Sequence, residues 1–339
     1  MLESKDIAKI AIVKLSAMGD IVHAMVALQY IKKQFPNLQI DWIVESSFYQ
    51  VLENNPHITN LYKVNLKKIK KDKMSIFSQI KTIRGFAKNR YDLVIDAQGL
   101  LKSAIVSKLL GAKIAGYDKN SIREGIASVF YNDTVSIAYD ENTIDRNVKV
   151  LSAPLGFDIG EQDILDKEPF LYFKNEEDII YNYLSTSLKN IIFVVGSTWE
   201  SRNYPKEKFA AIANALGENC LVVWGNEEEK EKALWIEENS PYAKAMPKIN
   251  LNSLKAVVSK SDLLIGNDTG PTHMAWALNI PSITIFGPTP VNRVYQTQIN
   301  KVVKSNSKVN HYKLNKNDFS IYDIDENIII NMAKSLLNG

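Results

Sequence analysis

The sequence predicts an α/β protein made of two doubly wound domains, each a parallel sheet with helices on both faces. Three observations lead there. Short β-branched apolar runs alternate with helical stretches from end to end. The runs are nearly continuous in apolar residues and bounded by Gly, Asp or Asn, as parallel strands buried on both faces require. The length of 339 residues suits two domains at roughly 100–200 residues each.

In chain order, KIAIVKL (9–15) reads as the first strand and 21–35 as the helix after it. QIDWIV (39–44) and DLVIDA (92–97) follow as strands, with helices over 75–90 and 101–110. A polar stretch over 156–178, holding Gly156, Gly160 and Pro169, interrupts the alternation and marks the domain boundary. The pattern then resumes with strands IIFVVG (191–196), CLVVW (220–224), DLLIG (262–266) and SITIFG (282–287), and helices over 205–217, 227–239 and 270–279. This places the first domain at 1–165 and the second at 166–320. The last helix, 322–337, carries Ile324, Ile328, Met332 and Leu336 at a spacing of four. That stripe must be buried, and residues 321–339 are expected to pack back on the first domain.

Composition narrows the function classes. With 45% apolar and 23% charged residues the chain is an ordinary globular one, not a disordered one. A single cysteine, Cys220, excludes an intramolecular disulfide and a cysteine-based metal cluster. The start, MLESKDIAKIAIVKL, lacks the basic, apolar and small-residue segments of a signal peptide. No apolar run approaches the ~20 residues that span a bilayer, so a cytoplasmic protein is expected. The net charge of +3 is uneven: residues 1–160 hold 22 Lys/Arg against 16 Asp/Glu, leaving 19 against 22 for the rest. Lys63, Lys67, Lys68, Lys70, Lys71 and Lys73 supply much of the excess. They suit a solvated face, an anionic substrate or an anionic membrane surface. Nucleic acid is disfavoured, since no aromatic stacking motif accompanies them.

Three segments lie where strands end and helices begin, the place where open α/β sheets bind ligands. SAMGD (16–20) follows the first strand, and Asp20 at the start of the next helix can either cap it or serve as a general base toward a hydroxyl. His23, one turn on, reads as structural or as an assistant to that base. GNDTGPTH (266–273) opens a helix with Gly270 and Pro271, and its amides with the Thr269 hydroxyl make an anion site for a diphosphate. Asp268 there is either a cap or an acceptor from glycine amides or donor hydroxyls, and His273 either a core residue or a ligand. GSTWESRNYP (196–205) offers hydroxyls, amides and Arg202 to the same diphosphate, while Glu229 can accept two ribose hydroxyls. The chain has no phosphate-binding G-x-x-x-x-G-K-[ST] loop, and no G-x-G-x-x-G follows its first strand, so simple ATPase and dehydrogenase readings lose their support. Its four histidines are dispersed, favouring a site without metal or other cofactor.

Taken together, SAMGDIVHAMVAL (16–28), FPNLQIDWIVE (35–45), YDLVIDAQGLLKSA (91–104), SIREGIASVFYN (121–132), WGNEEE (224–229), NDTGPTHMAWAL (267–278) and TIFGPT (284–289) resemble the lipopolysaccharide heptosyltransferases of glycosyltransferase family nine. The segments over 91–104 and 121–132 point to the branch that adds the first heptose. The resemblance implies a GT-B fold, two Rossmann-like domains facing a central cleft. It implies ADP-L-glycero-β-D-manno-heptose as donor, the Kdo of Kdo2-lipid A as acceptor, and work at the cytoplasmic face of the inner membrane. Asp20 would be the base of an inverting transfer. Thr198 and Arg202 would meet the phosphates, Glu229 the ribose, and Asp268, Thr269, Gly270 and His273 the heptose–diphosphate region. Lys67, Lys70, Gln98, Lys102 and Arg123 would face the anionic acceptor. Three positions depart from the family pattern: Arg202 and Tyr204 stand where Lys and Trp are usual, and Ala17 where Ser or Thr is frequent. A member with another acceptor, or a non-catalytic nucleotide-sugar binder, is the alternative reading.

Overall fold

A computed structural model describes residues 7–338, with the side chain of Lys70 outside the description. The chain forms two compact units, one ending at Phe170 and the other beginning at Leu171, five residues beyond the expected boundary.

The first unit runs β1 (Lys9–Val13), α1 (Met18–Met25), α2 (Ala27–Gln34), β2 (Gln39–Glu45), α3 (Tyr49–Leu52), β3 (Asn60–Val64), α4 (Leu66–Lys71) and α5 (Ser75–Phe86). It continues through β4 (Leu93–Asp96), α6 (Leu101–Leu109), β5 (Lys113–Tyr117), β6 (Asp133–Val135), α7 (Thr143–Ser152) and α8 (Glu161–Leu165). Its six strands are all parallel, in the order β3-β2-β1-β4-β5-β6. Ile10, Ala11, Ile12 and Val13 of central β1 are fully buried. At about 1.5–3 kcal/mol for each Val or Ile side chain taken from water, such a strand is held by burial on both faces.

The second unit repeats the plan with β7 (Asn190–Val194), α9 (Lys206–Leu216), β8 (Asn219–Val223), α10 (Glu227–Glu238), β9 (Ala243–Ala245) and α11 (Leu251–Ser259). It ends with β10 (Leu263–Asn267), α12 (Gly270–Ala277), β11 (Ser282–Phe286), β12 (Asn300–Lys304) and α13 (Glu326–Asn338), in the sheet order β12-β11-β10-β7-β8-β9. Cys220 lies fully buried in β8, where its surroundings push the thiol up to about 12.

Two expectations need correction. The first helix begins at Met18 rather than residue 21, so Asp20 is its third residue and lies inside the first turn. The last helix buries Ile329, Ile330 and Ala333, while Ile328 is exposed. Those residues belong to the apolar core that α9 and the second sheet form, so the helix is part of the second unit rather than a strap on the first. Of the expected stripe, Ile324, Met332 and Leu336 do pack against that core, and Ile328 does not.

Candidate functional site

In each sheet, the strand order reverses direction between two neighbours, β1 and β4 in the first unit and β7 and β10 in the second. Open α/β sheets bind ligands outside the carboxyl ends of the strands at such switch points. Both pairs of loops carry the residues singled out from the sequence.

At the second switch point, Asn267 at the end of β10 ties the two strands together. Its side-chain oxygen accepts from the Tyr204 N–H at 2.9 Å and its amide donates to the Val195 carbonyl at 2.9 Å. The next residue, Asp268, is 2% exposed. Its Oδ2 accepts from Arg202 Nη2 at 2.8 Å and from Thr289 Oγ1 at 2.9 Å, and His273 Nε2 lies 3.3 Å from Oδ1. Arg202 also donates to the Asp268 carbonyl. Burial alone would raise the Asp268 carboxyl, but Arg202, His273 and Arg293 outweigh it and hold the group far below the usual carboxylate range.

Arg202 is thus buried and its Nη2 is turned onto Asp268. Thr198 is exposed, and Thr269 and Gly270 are half-buried at the N-terminus of α12, where Pro271 follows as the second helical residue. The first-turn amides of that helix, with its dipole, favour an anion.

Glu229 sits in the first turn of α10. Its Oε2 accepts from the Gly225 N–H at 2.7 Å, and its own N–H donates to Oδ1 of the N-cap Asn226 at 3.0 Å. The rest of the carboxylate lies over Gly196, where a Cβ would come within 2.2 Å of it. Only glycine at 196 lets Glu229 reach the loop after β7.

At the first switch point, Gln98 Oε1 accepts from the Leu15 and Ser16 N–H groups, both at 3.0 Å, fastening the loop after β4 to the loop after β1. Lys102 Nζ reaches Ser16 Oγ at 3.4 Å. Asp20 is half-buried and accepts from the Ala17 N–H at 3.2 Å, so one oxygen takes part in capping α1. Behind it lies a group that the sequence reading missed. Lys14 is 5% exposed and donates to the Ala97 carbonyl and to Asn147 Oδ1, both at 2.7 Å. Burial lowers its pKa, against the opposing pull of Asp20 and Asp96. Asp96 is fully buried, which raises its carboxyl to about 6 in spite of bonds from Tyr131 Oη and the Gln98 and Gly99 amides. The available signal was an ionisable residue at the end of each apolar run, KIAIVKL and DLVIDA.

His23 is 3% exposed on α1, in keeping with its structural reading. Lys67 is exposed on α4 and donates to Ser47 Oγ at 3.1 Å; Arg123 is exposed in the bend before the turn Gly125–Phe130. Lys70 falls outside the described side chains. Beside these cations stand exposed apolar residues, Met74 and Phe77 near the lysine helix and Ile126 and Val129 near Arg123. Among the described residues no three His, Cys, Asp or Glu side chains converge to hold a metal ion, and no helix is long and apolar enough to cross a membrane.

Comparison with known proteins follows the same lines. Residues 79–320 match the family described as glycosyltransferase family 9 (heptosyltransferase). The sequence is 38% identical to lipopolysaccharide heptosyltransferase 1 of Campylobacter coli, over 97% of this chain and 98% of that one. It is 29% identical to the protein of the same name from Escherichia coli K12, over 83% and 88%. The fold matches E. coli heptosyltransferase WaaC with ADP-2-deoxy-2-fluoro heptose at a TM-score of 0.78 and 25% identity, covering 96% of this chain and 99% of that one. E. coli ADP-heptose LPS heptosyltransferase II, at a TM-score of 0.74 and 17% identity over 97% and 98%, shares the fold.

Proposed function

The chain belongs to glycosyltransferase family 9, and on that premise we propose that it transfers L-glycero-D-manno-heptose from ADP-heptose, with inversion, to a Kdo hydroxyl of Kdo2-lipid A. The near-full-length likeness to a heptosyltransferase 1 carries the choice of sugar and acceptor. The two switch points support a division of labour between the units.

In this reading Asp20 accepts the proton of the Kdo hydroxyl through the carboxylate oxygen that does not cap α1. The freed oxygen attacks the anomeric carbon of the heptose, the bond to the β-phosphate oxygen breaks, and ADP leaves with the electron pair. The half-exposed position of Asp20 supports that role, since a fully buried carboxylate would meet no acceptor.

On the donor side, Thr198, Thr269 and Gly270 would bind the diphosphate at the N-terminus of α12, and Glu229 the ribose. His273 and Asp268 would face the heptose–phosphate end. Arg202 would hold Asp268 in place and add its charge through that pair. Gln98, Lys102 and Ser16 would line the acceptor side near Asp20. Lys67, Lys70 and Arg123, with the neighbouring apolar side chains, would hold the phosphorylated glycolipid and rest the protein on the cytoplasmic face of the inner membrane.

Incubating the protein with ADP-heptose and Kdo2-lipid A and weighing the product tests the proposal. One added heptose on Kdo2-lipid A is expected. Transfer only to an acceptor that already bears a heptose would overturn the choice of acceptor, and no transfer to either would overturn the activity.

A further inference from the structure

The donor rim holds more positive charge than the sequence motifs assign to it. A diphosphate brings at least two negative charges to the loops after β7 and β10. Arg202, the cation offered there by the sequence, is 9% exposed and already engaged by Asp268 at 2.8 Å. Lys232, near the same loop, is paired with Glu200 and Glu228 at 3.2 Å each. Arg293 differs from both. It is half-buried, ends the turn Val291–Arg293 after β11, and has no carboxylate within ion-pair distance among the described residues.

The path of the chain brings this turn to the site. β11 pairs in parallel with β10, with Ile285 opposite Asn267, so both strands release their loops at the same edge. Gly287 then passes so close to the loop after β7 that a Cβ there would lie 3.1 Å from the Ser201 carbonyl oxygen. Thr289 donates to Asp268 Oδ2 at 2.9 Å, clamping the segment onto the Arg202–Asp268 pair four residues before Arg293.

Strand order gives the direction. Along the sheet the neighbours run β11, β10, β7, β8. Glu229, the proposed ribose ligand, follows β8; the helix terminus for the diphosphate follows β10; Arg293 lies beyond it, after β11. A nucleotide diphosphate laid along that edge from its ribose ends with its distal phosphate nearest Arg293.

We propose that Arg293 binds the β-phosphate of the nucleotide donor with its guanidinium, while Arg202 serves as the fixed counter-ion of Asp268. The assignment rests on reading the second unit as the donor-binding unit. Arginine suits the task because its planar fork can take two phosphate oxygens at once.

The test is calorimetric titration of the full chain with ADP and with AMP, for wild type, Arg293→Gln and Arg293→Lys. Arg293→Gln should weaken ADP by about tenfold to a hundredfold, the range for a lost charged hydrogen bond, and AMP by less than about twofold. Arg293→Lys should retain part of the preference for ADP. Arg293→Lys keeps the positive charge that buried Asp268 feels, so its ligand-free melting temperature should stay near wild type. If Arg293→Gln melts early, the lysine variant carries the comparison, with ADP weakened about threefold and AMP unchanged. Equal losses for ADP and AMP, or no loss in either variant, would overturn the assignment. A wild-type chain that binds neither nucleotide would instead sink the donor reading itself.

Discussion

At the switch point of the first unit the carboxylate, Asp20, is half-exposed and the cation behind it, Lys14, is buried. At the switch point of the second unit the carboxylate, Asp268, is buried and enclosed by Arg202, Thr289 and His273. The two sheets run their strands in equivalent order, so topology chooses the place of each site but not its electrostatics. What decides the chemistry is which partner stays wet. A half-exposed carboxylate can be reached by a hydroxyl from outside. A buried carboxylate ringed by donors organises its neighbours, beside a helix terminus whose first-turn amides favour an anion.

The sharpest way to break this contrast is Asp268→Asn. Removing the charge strands Arg202 in a dry site, a loss on the order of 3–5 kcal/mol in denaturant unfolding. The sign with pH follows from the depressed carboxyl. Its stabilisation is complete above the ordinary carboxylate range and declines as pH falls below about 4, so the variant should lose the least additional stability in acid. A variant as stable as wild type at pH 7 would mean that the pair is not a structural unit.

Asp20→Ala tests the other half. Turnover should fall at least ~10²-fold, with ADP affinity unchanged, and unfolding should register no more than the ~1 kcal/mol typical of a helix cap. Product formation near the wild-type rate would return Asp20 to capping alone.

Asp96 sharpens the picture of the first unit's interior. With its folded value raised to about 6, the folded chain keeps a proton that the unfolded chain releases. Its contribution to stability therefore declines as pH rises from about 4 to 6. Asp96→Asn should flatten that part of the stability profile by an amount on the order of 2 kcal/mol. Superimposable profiles would show that Asp96 is ionised throughout.

The smallest effect is expected at the rim of the first unit. Replacing Lys67, Lys68, Lys70 and Lys71 with Gln should raise the apparent acceptor KM and weaken flotation with anionic liposomes at low salt. The difference should fade at high salt, because charges at the surface are screened over about 8 Å under physiological conditions. Identical titrations and flotation in both salts would leave the lysines a solvated face.

The central strands, and with them the strand ends at both switch points, were legible because a strand buried on two faces must read as an apolar run. Outer strands were not. β3 (NLYKV) and β12 (NKVVK) are half-exposed and mix lysine with apolar residues, and β9 has only three residues. Within the sites, residue types were legible and partners were not. Nothing local to Arg202 announces Asp268, 66 positions away, because their meeting depends on β7 lying beside β10. For the same reason the sequence presented Arg202 as a loop cation and passed over Lys14 and Thr289.

Cys220 gives the second sheet a built-in clock. It is the only cysteine of the chain, wholly enclosed in β8, and its backbone N–H is bonded to the Tyr242 carbonyl at 2.9 Å. With the thiol pushed up to about 12, almost no thiolate forms near neutral pH and no reagent can touch it while the strand is in place. Alkylation must wait for β8 to come away from its neighbours. Its rate therefore counts openings of the second unit alone, and slowing of that rate by added nucleotide would measure how firmly a bound donor holds the sheet shut.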